Sequence, residues 1–434
     1  MIASRMQGIA VWKKIAVSCA LVVCGIAISS LVFNFPLPFR AKRPLVPKSQ
    51  SARHPSTTKP DHIVLTPTQD MKTMARISWR TSAPIQDGVV QFAEKGGEGG
   101  KNRREVRAEG TALHSPELTE DNTVSLFSAL LENLSPGTVY RYRVGSRKEE
   151  VWSEYGTFAT EPATEEPFSF VYFGDTQVRP KGFGSMLASV ERRHPETAFY
   201  MIGGDLVDVG DYRNLWDDLL ASTGTVFMRT PVMPAMGNHD FGEHGIGPGI
   251  FSSYFGFPGR DDTVDNFSFH YGNAFFAVVN SLDVSDQTAW LERELRQADS
   301  EGYAFKIVMF HVPVYHPKKH RRNAAAERQW VPLFDKYRVD LVLTGHDHSY
   351  LRSKPLRSGR PVAEGEFGTT YVVATACDKF YQFEELAIAE RQFANTTTYQ
   401  LVELSVSSDG RPLLRYSARD EGGMVVDTFE DVKH

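Results

Sequence analysis

The hydrophobic rhythm of the chain changes three times, and the changes divide it. From Ile15 to Phe33 no charged residue interrupts an apolar run, and Lys13-Lys14 stand directly before it. The run is close to the ~20 residues that cross a bilayer as a helix. Residues 34–60 then carry six prolines among small and charged residues. Such a composition buries too little surface to fold and predicts an extended tether.

From Asp61 to about Pro162 short runs alternate apolar and polar residues: His62–Thr66, Ala75–Arg80, Val89–Ala93, Val124–Leu131, Thr138–Val144 and Gly156–Ala159. Turn residues separate them, and no long helical period intervenes. Regular short strands of this kind predict a small β-sandwich over residues 61–162, of immunoglobulin or fibronectin type III type.

Over residues 163–434 the period changes again. Strand-like runs at Phe168–Phe173, Ala198–Ile202, Val232–Ala235, Ala274–Asn280, Ala304–Phe310 and Val339–Leu343 alternate with helical stretches. The helical stretches are Phe183–Arg193, Tyr212–Ser222, Asp286–Ser300, with Asp286 as its cap, and Asn323–Lys336. The alternation predicts a layered α/β domain. The later β segments Thr370–Ala374, Tyr399–Ser405 and Leu413–Ala418 are expected to add a second sheet.

Five short polar motifs fall where these strands end. They are Gly174-Asp175-Thr176-Gln177, Gly204-Asp205-Leu206-Val207-Asp208, Gly237-Asn238-His239-Asp240, His311 in Met309-Phe310-His311-Val312-Pro313, and Gly345-His346-Asp347-His348. Open α/β folds gather their sites at the C-terminal ends of strands. Two aspartates, one asparagine and three histidines make a donor set for two metal ions, with His239 to spare. Carboxylate, amide oxygen and imidazole suit divalent or trivalent first-row metals (Fe, Mn or Zn) and not a thiolate site. Two ions in one site favour attack on phosphorus.

Composition narrows the partners. The 434 residues suit two domains, or one large domain with an appendage. A net charge of -5 argues against a general nucleic-acid binder. Cys19 and Cys24 lie in the apolar run, which leaves Cys377 alone in the globular part and excludes a disulfide framework there. For residues 1–33 two readings stand: a signal peptide, for which Ala27-Ile28-Ser29 offers a cleavage site, or an uncleaved anchor. The apolar run continues past that site through Phe33, which favours the anchor. Charges on both flanks leave orientation weakly set. The expected location is membrane-anchored with the catalytic domain extracytoplasmic, or secreted or periplasmic if the segment is cleaved.

The motifs, their order and their spacing resemble the calcineurin-like metallophosphoesterase superfamily, and residues 61–420 are most similar to the purple acid phosphatases. His311-Val312-Pro313-Val314-Tyr315 and Gly345-His346-Asp347-His348-Ser349-Tyr350, with Arg352 following, carry that likeness. The resemblance implies a four-layer α/β/β/α metallophosphoesterase sandwich preceded by an all-β, fibronectin type III-like sandwich. It implies that Asp205 bridges two metals, that Asp175 and His348 bind the first, and that Asn238, His311 and His346 bind the second. His239 would face the substrate as general acid or charge stabiliser, with Asp240 orienting it by a hydrogen bond. In the loop Lys318-Lys319-His320-Arg321-Arg322, His320 would contact the substrate phosphate, and Arg321 or Arg322, Arg321 first, would pair with its oxygens. The implied activity is hydrolysis of a small-molecule phosphate ester, first a monoester. A phosphodiesterase acting on cyclic nucleotides or phospholipid head groups, and a non-catalytic envelope-associated binding protein, are the alternatives.

Two positions depart from the family. Purple acid phosphatases place an iron-binding tyrosine three residues after the bridging aspartate; here that position is Asp208, so no purple chromophore is expected. Related phosphoesterases place a metal-binding histidine two residues after the first aspartate; here it is Gln177, a weaker neutral oxygen donor.

Overall fold

The strand-forming runs pair into two sandwiches. A computed structural model describes residues 49–66, 68–96, 102–256, 266–318 and 320–433. The apolar run Ile15 to Phe33, and with it the choice between signal peptide and anchor, lies outside the described residues. Among the described residues no helix is long and apolar enough to cross a membrane.

Residues 61–159 build two antiparallel sheets. One runs Asp61–Thr66, Ala75–Ser82, Thr123–Leu131, Glu109–His114; the other runs Arg104–Arg107, Val89–Glu94, Val139–Ser146, Val151–Trp152, with Gly156–Ala159 also paired to Val139–Ser146. Every second residue points inward, and Ile77, Trp79, Val90, Phe92, Tyr140 and Tyr142 meet in the core. The strands Arg104–Arg107 and Glu109–His114 escape a sequence reading because they are largely exposed and carry no apolar alternation.

The following domain stacks two mixed sheets. The six-stranded sheet runs Val232–Pro234, Thr197–Ile202, Phe168–Phe173, Thr398–Val406, Pro412–Asp420, Val425–Val432. The seven-stranded sheet runs Phe267–Tyr271, Ala274–Val278, Phe305–Met309, Leu341–Thr344, Thr370–Val373, Tyr350–Ser353, Ala389–Phe393. Phe168–Phe173 shows the layering in one strand. Phe170 and Tyr172 enter the core between the sheets, while Val171 and Phe173 face the helices Pro180–Arg193, Arg213–Ser222 and Gly247–Phe255. Burial on both sides is why the run is apolar without interruption. The outer face of the second sheet is covered by Val284–Glu301, Ala324–Gln329 and Val331–Tyr337. The order of layers is therefore helix, sheet, sheet, helix.

Three details differ from the sequence reading. The later β segments form no separate sheet: Thr370–Val373 joins the seven-stranded sheet, and Thr398–Val406 and Pro412–Asp420 extend the six-stranded one by antiparallel pairing. The helix expected over Asn323–Lys336 breaks at Trp330, because Pro332 has no N–H to donate and crowds the preceding turn. The long helix is capped by Asp283, whose side chain accepts from the Asp286 amide, so Asp286 sits in the first turn.

The second half of the Pro-rich stretch is tied down. Gln50 bridges Leu118, the Arg53 amide donates to Asn214 Oδ1 at 2.9 Å, Arg53 pairs with Asp218, and Ser56 bonds Asp121. Its polar side chains find partners on both the sandwich and the helix Arg213–Ser222, which composition alone does not reveal. At the same junction Asp217, fully buried, takes Arg80 at 2.7 Å, Arg213 at 3.2 Å and the Tyr254 hydroxyl at 2.5 Å.

Candidate metal centre

Each motif reaches the site by a turn at a strand end. Asp175 follows Phe168–Phe173, Asp205 follows Thr197–Ile202, Asn238 follows Val232–Pro234, His311 follows Phe305–Met309, and His346 and His348 follow Leu341–Thr344. The turns are tight enough to need glycine. Gly204 has φ +93°, and a Cβ there would press on the His311 ring; a Cβ on Gly237 would collide with the amide and carboxylate of Asp205. Asp205, His346 and His348 themselves take positive φ of 49°, 71° and 47°. Such conformations cost free energy and cluster at functional sites.

Two groups of donor atoms result, each within 4.8 Å of one another, and they share Asp205: Asp175, Asp205 and His348; and Asp205, His311 and His346. His311 donates Nδ1–H to the Gly203 carbonyl at 2.9 Å, which leaves Nε2 facing Asp205 Oδ2, Asn238 Oδ1 and His346 Nδ1, each at 3.2 Å. His348 donates Nδ1–H to the Lys379 carbonyl at 2.8 Å and turns Nε2 to Asp175 Oδ2 at 2.9 Å. These carbonyl contacts fix which nitrogen of each ring is offered to the centre. Tyr381, which sequence reasoning missed, stacks on the His348 ring at 4.6 Å.

The electrostatics are those of a cation site. Burial would raise the Asp205 carboxyl, but His311 outweighs it and holds the pKa at about 2. Burial would lower His311, but Asp205 lifts it to about 9; burial opposes charge on His348 as well, and Asp175 lifts it to about 11. His346, partly buried and facing His311, is pushed down to about 2 by desolvation first and by His311 second. Gln177 Oε1 is buried without a hydrogen-bond partner among the described residues, and Asp175 Oδ2 is buried facing His348 Nε2. Buried acceptors of this kind are costly unless a donor or cation meets them. The donor set fits two metal ions on these grounds.

The remaining expected residues divide. His239 borders the centre: its amide donates to Asp205 Oδ1 at 2.8 Å, and its ring is about one-third exposed. Asp240 does not orient it. The Asp240 carboxylate accepts from the amides of Leu206 at 2.8 Å, Val207 at 3.2 Å and Gly237 at 2.9 Å, so it pins two motif turns together. His239 Nδ1 donates instead to the Asp208 carbonyl at 2.6 Å. A short helical turn, Asn238–Phe241, sends residues 239 and 240 to different sides, which their adjacency in sequence hides. Arg321 reaches the site from the basic loop, bonding Asp347 Oδ1 at 2.6 Å and lying 3.4 Å from the His346 carbonyl. Arg322 pairs with Glu327 on the exposed side, and His320 is exposed with φ 62°. Asp347, fully buried, was not expected to matter; its place between two candidate ligands was the available signal.

Comparison with known proteins places this geometry. Residues 168–350 match the calcineurin-like phosphoesterase family, and residues 60–160 match the N-terminal domain of purple acid phosphatases. An uncharacterized protein of Mycobacterium tuberculosis is 28% identical over 330 residues, 65% of this chain and 60% of that protein. Probable purple acid phosphatase 20 of Arabidopsis thaliana is 25% identical over 292 residues, 64% of this chain and 65% of that protein. The chain thus spans about three fifths of the length of these curated relatives. A purple acid phosphatase from yellow lupin (Lupinus luteus) seeds shares the fold, with a TM-score of 0.73 at 18% identity over 86% of this chain and 74% of that one.

Proposed function

We propose, from the premise that this chain joins a calcineurin-like phosphoesterase domain to a purple acid phosphatase N-terminal domain, that it is a metal-dependent hydrolase of small phosphate esters, acting first on monoesters. The observation that carries the reading is the pair of buried donor groups meeting at Asp205. Asp175, Asp205 and His348 would hold one ion; Asp205, Asn238, His311 and His346 would hold the other. When bound, two such ions lower the pKa of a water and neutralise charge on the phosphoryl group.

The protein's own groups do the rest. His239 keeps its proton on Nδ1 for the Asp208 carbonyl and so presents Nε2 outward. As an imidazolium it donates from Nε2 to the leaving oxygen. Arg321 is anchored through Nη1, and its Nε and Nη2 have no partner among the described residues. Those two N–H groups suit bidentate contact with phosphate oxygens. His320, exposed beside it, is free to join them.

The test is elemental analysis of the purified protein together with hydrolysis of 4-nitrophenyl phosphate and bis(4-nitrophenyl) phosphate. The expected result is about two bound metal ions per chain and faster turnover of the monoester. Asp205→Ala should lose both ions and nearly all turnover. A metal-free protein without metal-restored hydrolysis would sink the reading, and faster turnover of the diester would replace monoesterase by phosphodiesterase.

A further inference from the structure

We propose that Gln177 ligates the ion held by Asp175, Asp205 and His348 through its amide oxygen, and that the site is consequently built for two divalent ions, not for a ferric ion. The inference rests on the metal-dependent reading above and concerns what this chain's own residues add to it.

Gln177 is 1% exposed. Its amide nitrogen and that of Thr176 both donate to the Asp205 carbonyl, at 3.0 and 3.2 Å, so the backbone is fixed to the bridging residue's own turn. The next residue, Val178, holds φ 65°, which a β-branched side chain adopts only under constraint. The carboxamide thus enters the donor cluster: Nε2 lies 3.0 Å from His348 Nε2 and 3.4 Å from Asp205 Oδ2. Oε1 is buried without a partner among the described residues.

As placed, the nitrogen end of the carboxamide faces the His348 Nε2 atom. A metal ion among these donors calls for the oxygen end. The two ends of a carboxamide are nearly equal in size, so turning it over needs no further space. Oε1 then joins Asp175 Oδ2, Asp205 Oδ2 and His348 Nε2 as a fourth donor. The unpartnered position passes from oxygen to nitrogen, so the contact with the ion alone drives the turn.

Charge sets the metal. Of the seven residues converging here, only Asp175 and Asp205 are anionic. The Asp208 side chain is about half exposed, with its carboxylate 3.7 Å from His239 Nδ1, and is no third anion for the cluster. Two divalent ions against two carboxylates leave an excess of two positive charges, before any hydroxide; a trivalent ion raises it to three in a buried site, where charge is least tolerated.

The test is titration calorimetry of the metal-free full chain with Mn2+ and with Zn2+, beside visible spectra after loading with ferric iron. Gln177→Leu and the shorter Gln177→Asn should each weaken one of the two ions about tenfold or more and leave the other within twofold. Gln177→Glu should tighten that same ion. The asparagine variant, one methylene short, covers the case in which leucine impairs folding. Loss of neither ion in both Leu and Asn variants would overturn the assignment, and so would stable ferric binding with a visible absorption band by the unaltered chain. If the unaltered chain binds no Mn2+ or Zn2+, the metal-dependent reading falls together with this one. Two ions bound and unaffected by either variant would leave that reading standing and remove only Gln177.

Discussion

Asp347 holds Arg321. Its Oδ1 accepts from Arg321 Nη1 at 2.6 Å, while Oδ2 accepts from the Lys318 amide at 3.3 Å and lies 3.0 Å from His316 Nδ1. One buried carboxylate therefore ties the loop after His311 to the turn that carries His346 and His348. Asp347→Asn keeps the size and removes the charge, so the guanidinium is held less firmly over the site. We expect KM for 4-nitrophenyl phosphate to rise about tenfold, equivalent to ~1.4 kcal/mol, with kcat falling less than threefold. Steady-state kinetics at saturating metal checks this; a fall in kcat at constant KM would mean that Asp347 acts through His346 instead.

His239 and Asp240 are neighbours in sequence with separate duties. Asp240→Asn should cost about 1–3 kcal/mol, since one of three buried amide contacts is lost, and should leave the pH profile of turnover unchanged. His239→Ala should leave the melting temperature nearly unchanged and lower kcat about 100-fold or more. Thermal unfolding and pH–rate profiles of both variants separate the roles, and a shifted profile in the asparagine variant would restore Asp240 as the residue that orients His239.

The parts legible in sequence were local. Phe168–Phe173 announces a doubly buried strand by its composition, and Gly174-Asp175 announces the turn that ends it, so the donor set could be read before its geometry was known. What was hidden depends on contacts between distant segments. Asp240 meets the amides of Leu206 and Val207, Arg321 meets Asp347, and residues 50–56 meet the helix Arg213–Ser222. No period or motif encodes those meetings. The exposed strands Arg104–Arg107 and Glu109–His114 were hidden for another reason, since pairing with a buried neighbour holds them without an apolar face of their own.

Asp217 sits between Arg80 of the β-sandwich and Arg213 of the α/β domain, with all three side chains fully buried. Burial, the largest single influence, works to raise its carboxyl, but His62, whose Nδ1 lies 3.4 Å away, and then the two guanidiniums hold it at about 2. Asp217→Ala would strand two buried cations. The expected loss is about 3–5 kcal/mol in chemical unfolding, and the joint between the two domains should open first. Limited proteolysis near residue 162 should be accelerated in the variant. An unchanged unfolding midpoint would mean that Asp61 and Asp121 suffice to compensate the two arginines.

Glu161, where the sandwich passes into the α/β domain, is a pH-dependent weakness. Burial lifts its carboxyl from the ordinary 4.5 to about 7, although Oε1 accepts from the Gly272 amide at 2.8 Å and Lys72 lies 3.7 Å away. Because the folded state holds this proton more tightly than the unfolded chain, the contribution of Glu161 to stability is fully present below pH 4.5 and is lost as pH rises to about 7. The full effect is on the order of 3 kcal/mol. Glu161→Gln keeps an acceptor for Gly272 and sheds the charge. The variant should gain on the native chain steadily between pH 4.5 and 7, with no further gain above that range. Melting temperatures of both proteins across this range test it directly. A difference that stays constant with pH would show that Lys72 pairs with an ionised Glu161 and that burial is not decisive.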